Sequence, residues 1–510
     1  MTDLECRPLE SSRPNPHRAT ASSNFEPTFR DPAGQLLLEE DCALRRVRPA
    51  AIEEALRFLN SPLRLELERD GNLIPSEILE TDSLAGAGSI PQAAEGGLWL
   101  RHPRIDPISY PWEWTRAQWR AAAELTLRIA GKAISAGWML KDSTPLNVLF
   151  SGPRPVFVDV LSFEKRDPHS TVWLAYGQFV RTFLLPLAAA RYLGWPLETT
   201  LFWRDGYEPA TLYRALPAWR RLHPALLDVV TMATLFEGKS GKTGKAQPRP
   251  SAADPELAAH ILHKRLARLG RQIRAVAGDS AKSQWSRYEQ SASHYRPADI
   301  EQKKQFVSGV LERAHSASPR PARVLDIGAN TGTYSLLAAD AGAEVVSLDS
   351  DSAALETLWR AASKRRKPVT TLVANIARPT PAAGWKNREQ LSLLDRLAGK
   401  FDLVLMLAVV HHLLLREQVP LAHIGELCAA LTRRWLVVEW VPPSDPMFQE
   451  WLRGRDHLYG HLTEHHLNQA FAPFFAGVDR CALENGRILL LFERHGREAA
   501  VHSAPGDDPA

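Results

Sequence analysis

The chain has little cysteine and no paired pattern of it. Cys6, Cys42, Cys428 and Cys481 lie far apart and form no CxxC pair, which argues against a disulfide scaffold and against a zinc site. That usage fits a reducing, cytoplasmic setting. Charge of one sign is missing too: a net +4 on 510 residues leaves no clear nucleic-acid signature. Long apolar runs are absent. In "FLLPLAAARYLGW" Arg181 and Arg191 confine the run to residues 182–190, about half of the ~20 residues that a membrane helix needs. The opening "MTDLECRPLESS" lacks the basic-then-apolar order of a secretory signal. What remains is a chain long enough for roughly two to four domains at about 150 residues each.

Composition marks out the segments. Residues 1–24 are polar and proline-bearing, and 497–510 have no periodic apolar pattern, so both ends are expected to be disordered. A linker is expected at 237–255, "EGKSGKTGKAQPRPSAADP". Its "GKSGKT" is no phosphate loop, because position 236, where the first glycine belongs, is Phe and no strand precedes it. Residues 256–299 read as connecting helices, and a basic stripe from Lys264 to Arg274 reads as a solvated face.

From 300 to 496 the pattern alternates. Short β-branched runs, ARVLDI, AEVVSLD, VTTLVANI, FDLVLMLAVV and RWLVVEWV, are separated by helical stretches such as SAALETLWRAASKRR and HIGELCAALTRR. Such alternation predicts a parallel sheet covered on both faces. "VDRCALENGRILLLFER" predicts a closing hairpin at Asn485-Gly486.

The stretch "RVLDIGANTGTYSLLAADAGAEVVSLDSD", Arg323 to Asp351, carries the ligand signal. A nicotinamide fingerprint needs glycines at 328, 330 and 333, where this chain has Gly328, Asn330 and Thr333. An acid at the strand end, Asp326, would repel a pyrophosphate and suits an ammonium group. Gly328 and Gly332 let the backbone pass close under such a ligand. Asp349, ending the second strand, can accept from two ribose hydroxyls. An amino-acid head plus ribose without phosphates describes S-adenosylmethionine.

These residues, with "VANI" and "FDLVLMLAVVHHL", resemble the class I S-adenosylmethionine-dependent methyltransferases. The resemblance implies a Rossmann-like, seven-stranded α/β sheet with a reversed last strand. It implies that Asp326, Gly328, Asn330 and Gly332 match the first motif, Asp349 the ribose-binding acid, and Asn375 with Ile376 the adenine contact. Across nearly the whole chain, "LKDSTPLNVLF", "WSRY" and "VVHHLLL…VPL" resemble a narrower group of methyltransferase-like proteins related to host-specific nodulation proteins.

Methyl transfer aligns an acceptor with an activated methyl, and removes a proton only from a neutral O–H or N–H. Acceptor-side residues are expected past the fourth strand, so His411, His412 and Glu439 are the candidates, with a helix-capping or packing role as the alternative for each. No NPPY motif marks an amide or exocyclic amine acceptor. His461 and His465 have helical spacing near His457 and His466, but HExxH and a third ligand are lacking, so no metal is expected. Trp285 and Tyr288 suggest an aromatic lid or simple helix packing.

The first half, 25–236, reads as an α+β domain. In "WMLKDSTPLNVLFSGPRPVFVDVLSFE" Asp142, Asn147 and Asp159 resemble the catalytic segment of aminoglycoside-phosphotransferase-like, kinase-like folds. Leu140 replaces the usual His, no Gly follows Asp159, and no lysine precedes Lys132, so a degenerate fold used for binding is the expectation. The reading is therefore a methyltransferase with an unidentified acceptor: sugar, lipid, small molecule and protein all fit. A small-molecule kinase activity upstream and a non-catalytic cofactor-binding protein are the alternatives.

Overall fold

The computed structural model describes residues 31–39, 41–79, 97–237, 251–278, 296–317, 320–452 and 454–496. Both expected disordered ends, most of the expected linker, and Trp285 with Tyr288 lie outside the described residues. The described residues divide into two compact units, one drawn from 1–52 and 76–104, the other from 53–75 and 105–510.

The smaller unit holds an antiparallel sheet. Its strands are β1 (Gly34–Leu38), β2 (Cys42–Val47), β3 (Glu77–Leu79) and β4 (Leu98–Pro103), in the order β1-β2-β4-β3. The β1–β2 hairpin pairs Leu38 with Ala43. Alternation puts Leu37, Leu44 and Trp99 on one buried face.

In the larger unit, helix Arg116–Ser135 starts at an N-cap, Thr115, whose side chain accepts from the Gln118 N–H. Two short antiparallel pairs follow: β5 (Trp138–Leu140) with β8 (Phe163–Lys165), and β6 (Val148–Ser151) with β7 (Arg154–Phe157). Helix Pro255–Ala277, expected as a connector, packs along Arg116–Ser135, burying Leu262, Leu266, Leu269 and Ile273. The apolar run that is too short for a membrane proves to be core: helix Leu185–Tyr192 buries Leu185, Leu187 and Ala188 completely. No helix among the described residues is long and apolar enough to cross a membrane.

The rest is a seven-stranded α/β sheet. Its strands are β9 (Arg323–Ile327), β10 (Glu344–Asp349), β11 (Val369–Val373), β12 (Phe401–Met406), β13 (Thr432–Trp440), β14 (Phe475–Ala482) and β15 (Ile488–Arg494), in the order β11-β10-β9-β12-β13-β15-β14. β9 to β13 run parallel, and β15 runs antiparallel to β13 and β14. The parallel strands are near-continuous apolar runs because both faces are covered. Period two splits them cleanly. Leu325, Ile327, Val404 and Leu436 face one helical layer, and Val324, Leu403, Trp435 and Val437 face the other. The stretch HIGELCAALTRR divides, with helix Leu421–Leu431 ending where β13 begins at Thr432.

The outer edge of this sheet, β11, is met by the upstream segment. Gln118 Nε2 donates to the Thr371 carbonyl at 3.4 Å, and the Ala117 N–H to Glu356 at 3.1 Å. Nearby, fully buried Glu113 pairs with Arg396, whose Nη1 lies 3.0 Å from Glu113 Oε2. Asp106 takes Arg323 at 2.7 Å and Lys400 at 2.5 Å. A sheet edge that offers open backbone groups is thus covered rather than left for aggregation.

Candidate active site

From β9 the chain winds outward to β10 and β11, then returns to the other side of β9 as β12. Open α/β sheets bind ligands in the crevice that such a reversal leaves at the strand carboxyl ends. A cleft of about 400 Å³ lies there, a size ordinary for small-molecule sites.

Its floor is the turn after β9, which runs left-handed at Gly328 (φ 76°), Asn330 (φ 50°) and Gly332 (φ 90°). A Cβ on Gly328 would come within 2.4 Å of Val409 Cγ2, and one on Gly332 within 2.2 Å of Leu358 Cδ1. Both positions therefore demand glycine for angle and for space. Asn330 stands where a third glycine is usual because Asn tolerates the left-handed region.

Asp349 lines the cleft at the end of β10. The Asn330 N–H donates to one carboxylate oxygen and the Asp351 N–H to the other, each at 2.8 Å. Burial raises its pKa, while the amides of Asp351 and Asn330 pull it back down. Asn375 and Ile376, just past β11, line the same cleft. The Asn375 amide is oriented on both sides: Oδ1 accepts from the Ala377 N–H at 2.9 Å, and Nδ2 donates to Glu417 at 3.3 Å.

Asp326 and Gly332 lie behind this surface rather than on it. Asp326 shares the face of Val324 and points under helix Thr333–Asp340, where Ser335 Oγ donates to it at 2.6 Å. Burial lifts its pKa to about 6; the Ser335 hydroxyl opposes that rise and the charge of Asp349 adds to it. The expectation of a direct ligand contact from Asp326 is thereby amended. Asn330 does line the cleft beside the turn, and its Oδ1 is buried without a hydrogen-bond partner.

Glu439 is amended in the same way. It is 0% exposed and paired with Lys303 at 2.5 Å and Arg487 at 3.5 Å. Its neighbours on β13, Val438 and Trp440, face one core layer. Glu439 therefore faces the other, toward helix Pro297–Ser316, which carries Lys303. Arg487, from the β14–β15 connection, also binds Asp445 at 2.8 Å and itself reaches the cleft wall. Sequence reasoning missed Arg487 and Glu417; neither falls in a motif, and only tertiary folding brings them to the strand ends.

His411 and His412 both line the cleft, from the first turn of helix Val410–Leu415. Ala408 before it adopts φ 55°, strained backbone of a kind that clusters at functional sites. The two imidazoles lie 4.2 Å apart, and Trp451 sits 4.2 Å from His412. His411 is 4% exposed, and its Nδ1 is buried without a hydrogen-bond partner. Burial, helped by the nearby Arg487 charge, lowers its pKa to about 3. Burial and the charges of His411, Arg416 and Arg487 lower that of His412 to about 2. Both rings are neutral at physiological pH.

Elsewhere, Asn147 and Asp159 meet at one hydroxyl. Asn147 Nδ2 donates to Ser162 Oγ at 3.4 Å, and Ser162 Oγ to Asp159 at 2.5 Å, while Gln178 donates to Asp142 at 3.4 Å. His466 Nδ1 accepts from the Thr463 N–H at 3.1 Å, closing a helix start.

Residues 293–474 match a family described as a methyltransferase domain. The nodulation protein NoeA of Rhizobium meliloti (strain 1021) is 28% identical over 497 residues, covering 95% of this chain and 98% of the relative. Among solved structures, magnesium protoporphyrin IX methyltransferase from Synechocystis PCC 6803, with bound SAH, is 19% identical over 38% of this chain and 84% of its own, with a TM-score of 0.28. WbdD, described as a bifunctional kinase-methyltransferase, is 17% identical over 39% of this chain and 40% of its own, with a TM-score of 0.29.

The part of the chain that carries the seven-stranded sheet with the reversed last strand thus matches a methyltransferase domain. A methyltransferase is the class of enzyme that this domain defines.

Proposed function

We propose that the cleft holds S-adenosylmethionine with its ribose at Asp349, its base at Asn375 and Ile376 and its amino group at Asn330 Oδ1, and that a neutral hydroxyl or amine is methylated beside His411. The bound donor supplies a methyl on a sulfonium: the C–S bond breaks with its electron pair going to sulfur, as the acceptor's lone pair forms the new bond to carbon.

The chain's own contribution is placement and one proton. The Asp349 carboxylate, held by two backbone amides, is fixed before any ligand arrives, so little ordering is left to be done on binding. His411 Nδ1 takes the acceptor's proton. An imidazole of pKa about 3 is a weak base, but a hydroxyl oxygen turns strongly acidic as it gains a third bond, so late proton transfer from it needs no stronger one. An amine instead becomes an ordinary ammonium whose proton leaves to solvent afterwards. Arg487 is neutralised by Glu439 and Asp445, which leaves that wall without net attraction for an anion and favours an uncharged acceptor. Glu439 and Asp326 act through others: the first fixes Lys303 and Arg487, the second supports the glycine turn through Ser335.

The observation that carries this reading is that two residues lining one cleft with Asp349, Asn330 and His411, each hold a buried polar atom without a hydrogen-bond partner, Oδ1 and Nδ1. The phosphotransferase alternative has less support, because Asn147 and Asp159 are engaged with Ser162. The test is incubation with radiolabelled methyl donor and fractionated cell extract. Label transferred by the wild type but not by His411→Asn supports the reading. Donor bound tightly with no label transferred to any fraction would favour a non-catalytic cofactor-binding protein.

A further inference from the structure

Among the described residues, the cleft itself is lined only by those from Ile327 to Arg487, but its neighbour is not. A second cavity of about 290 Å³ adjoins it, and Ser350, Asn375 and Arg378 line both. The two cavities lie side by side across these shared residues. The far wall of the second chamber comes from the upstream half of the chain, from Trp112 and Phe202. We propose that this wall closes the adenine end of the donor site, with the Phe202 ring as the face on which the base stacks. The proposal rests on the donor reading above and extends it to residues upstream of the methyltransferase domain.

The wall is built and fixed. The turn Leu197–Leu201 buries Leu197 and Thr200 and packs against the turn Pro111–Glu113. Glu113 at the end of that second turn is the buried partner of Arg396 in the methyltransferase domain. Phe202 follows directly, held at its backbone by the Thr199 carbonyl at 3.1 Å, so its position beside Ser350 and Asn375 is set by structure on both sides. Its ring is nevertheless 83% exposed. A phenyl group whose backbone is held by a turn and whose ring is left uncovered does no work for the core. It offers a flat apolar face next to the position that marks the base. Aromatic faces suit that task because every base presents a π-surface, and losing such a stack costs about 5- to 160-fold in affinity.

The experiment uses the full-length chain, with binding of S-adenosylmethionine and of adenosine measured by calorimetry. Phe202→Ala is expected to weaken both ligands by about tenfold or more and to leave the ligand-free melting temperature unchanged, since the ring packs on little. Phe202→Trp is expected to bind both as the wild type does. Unchanged affinity of Phe202→Ala for both ligands, with the wild type binding normally, overturns this proposal and leaves the donor reading standing. A wild type that binds neither ligand overturns the donor reading and this proposal with it.

Discussion

At the residue scale the cleft is defined by what its polar atoms already hold. Asp349 has two amide donors and still faces the cavity, whereas Asp326 has spent its carboxylate on Ser335. Asp349→Ala should weaken S-adenosylmethionine by 100-fold or more, about 3 kcal/mol for lost hydrogen bonds to a charged group, with the circular dichroism spectrum unchanged. His411→Asn should lower kcat by about 10²- to 10⁴-fold while donor affinity stays the same. Because His411 is neutral far below pH 6.5, it should add no acid limb to the kcat profile near that pH.

Asp326 behaves oppositely in stability. Its folded pKa of about 6 lies above the ordinary 3.8, so the folded state binds the extra proton. Its favourable contribution is full below pH 3.8 and is lost as pH rises through 6, a penalty of about 3 kcal/mol at neutral pH. His411 has the contrary sign, with its contribution present above 6.5 and lost as pH falls toward 3. Asp326→Asn should therefore be more stable than the wild type by about 1–3 kcal/mol in urea at pH 7.5, and the difference should shrink at pH 5. The motif "DIGANTG" made the turn legible, yet not which acid lines the cleft. That depended on strand parity, which puts Asp326 on the face of Val324.

At the element scale, the strands were legible because parallel strands covered on both faces must be apolar throughout, and β9 to β13 stand where the β-branched runs do. Their ends were less so. FDLVLMLAVV reads as one run, but the strand stops at Met406 and the left-handed Ala408 turns the chain into the helix of His411. Helix Pro255–Ala277 looked like a connector because its basic stripe is visible in the sequence and its partner, Arg116–Ser135, is more than a hundred residues away. The join between that upstream element and the sheet depends on a buried ion pair. Glu113→Ala would strand the Arg396 charge in the interior, and should cost about 3–5 kcal/mol, read as a lower urea midpoint. Replacing both residues by apolar ones of similar volume should recover most of that loss.

At the scale of the whole molecule, the upstream half is more than a neighbour of the methyltransferase domain. It covers the β11 edge through Gln118, supplies the partner of Arg396, and at Phe202 lines the cavity that adjoins the cleft. None of this was legible, because the contacts join residues separated by hundreds of positions and lie outside every motif. Residues 296–496 expressed alone should accordingly melt lower than the full chain and sediment as aggregates, with an open β11 edge and an unpaired Arg396. A fragment as stable and monodisperse as the full chain would make the join incidental.

The most direct test of the account is a crystal structure of the full chain with S-adenosylhomocysteine. The account predicts the ribose hydroxyls on Asp349, the amino group within hydrogen-bond reach of Asn330 Oδ1, the base between Asn375 and Phe202, and the sulfur on the side of His411. A ligand lodged elsewhere, or a pyrophosphate-bearing dinucleotide seated on the Gly328 turn in its place, would contradict it.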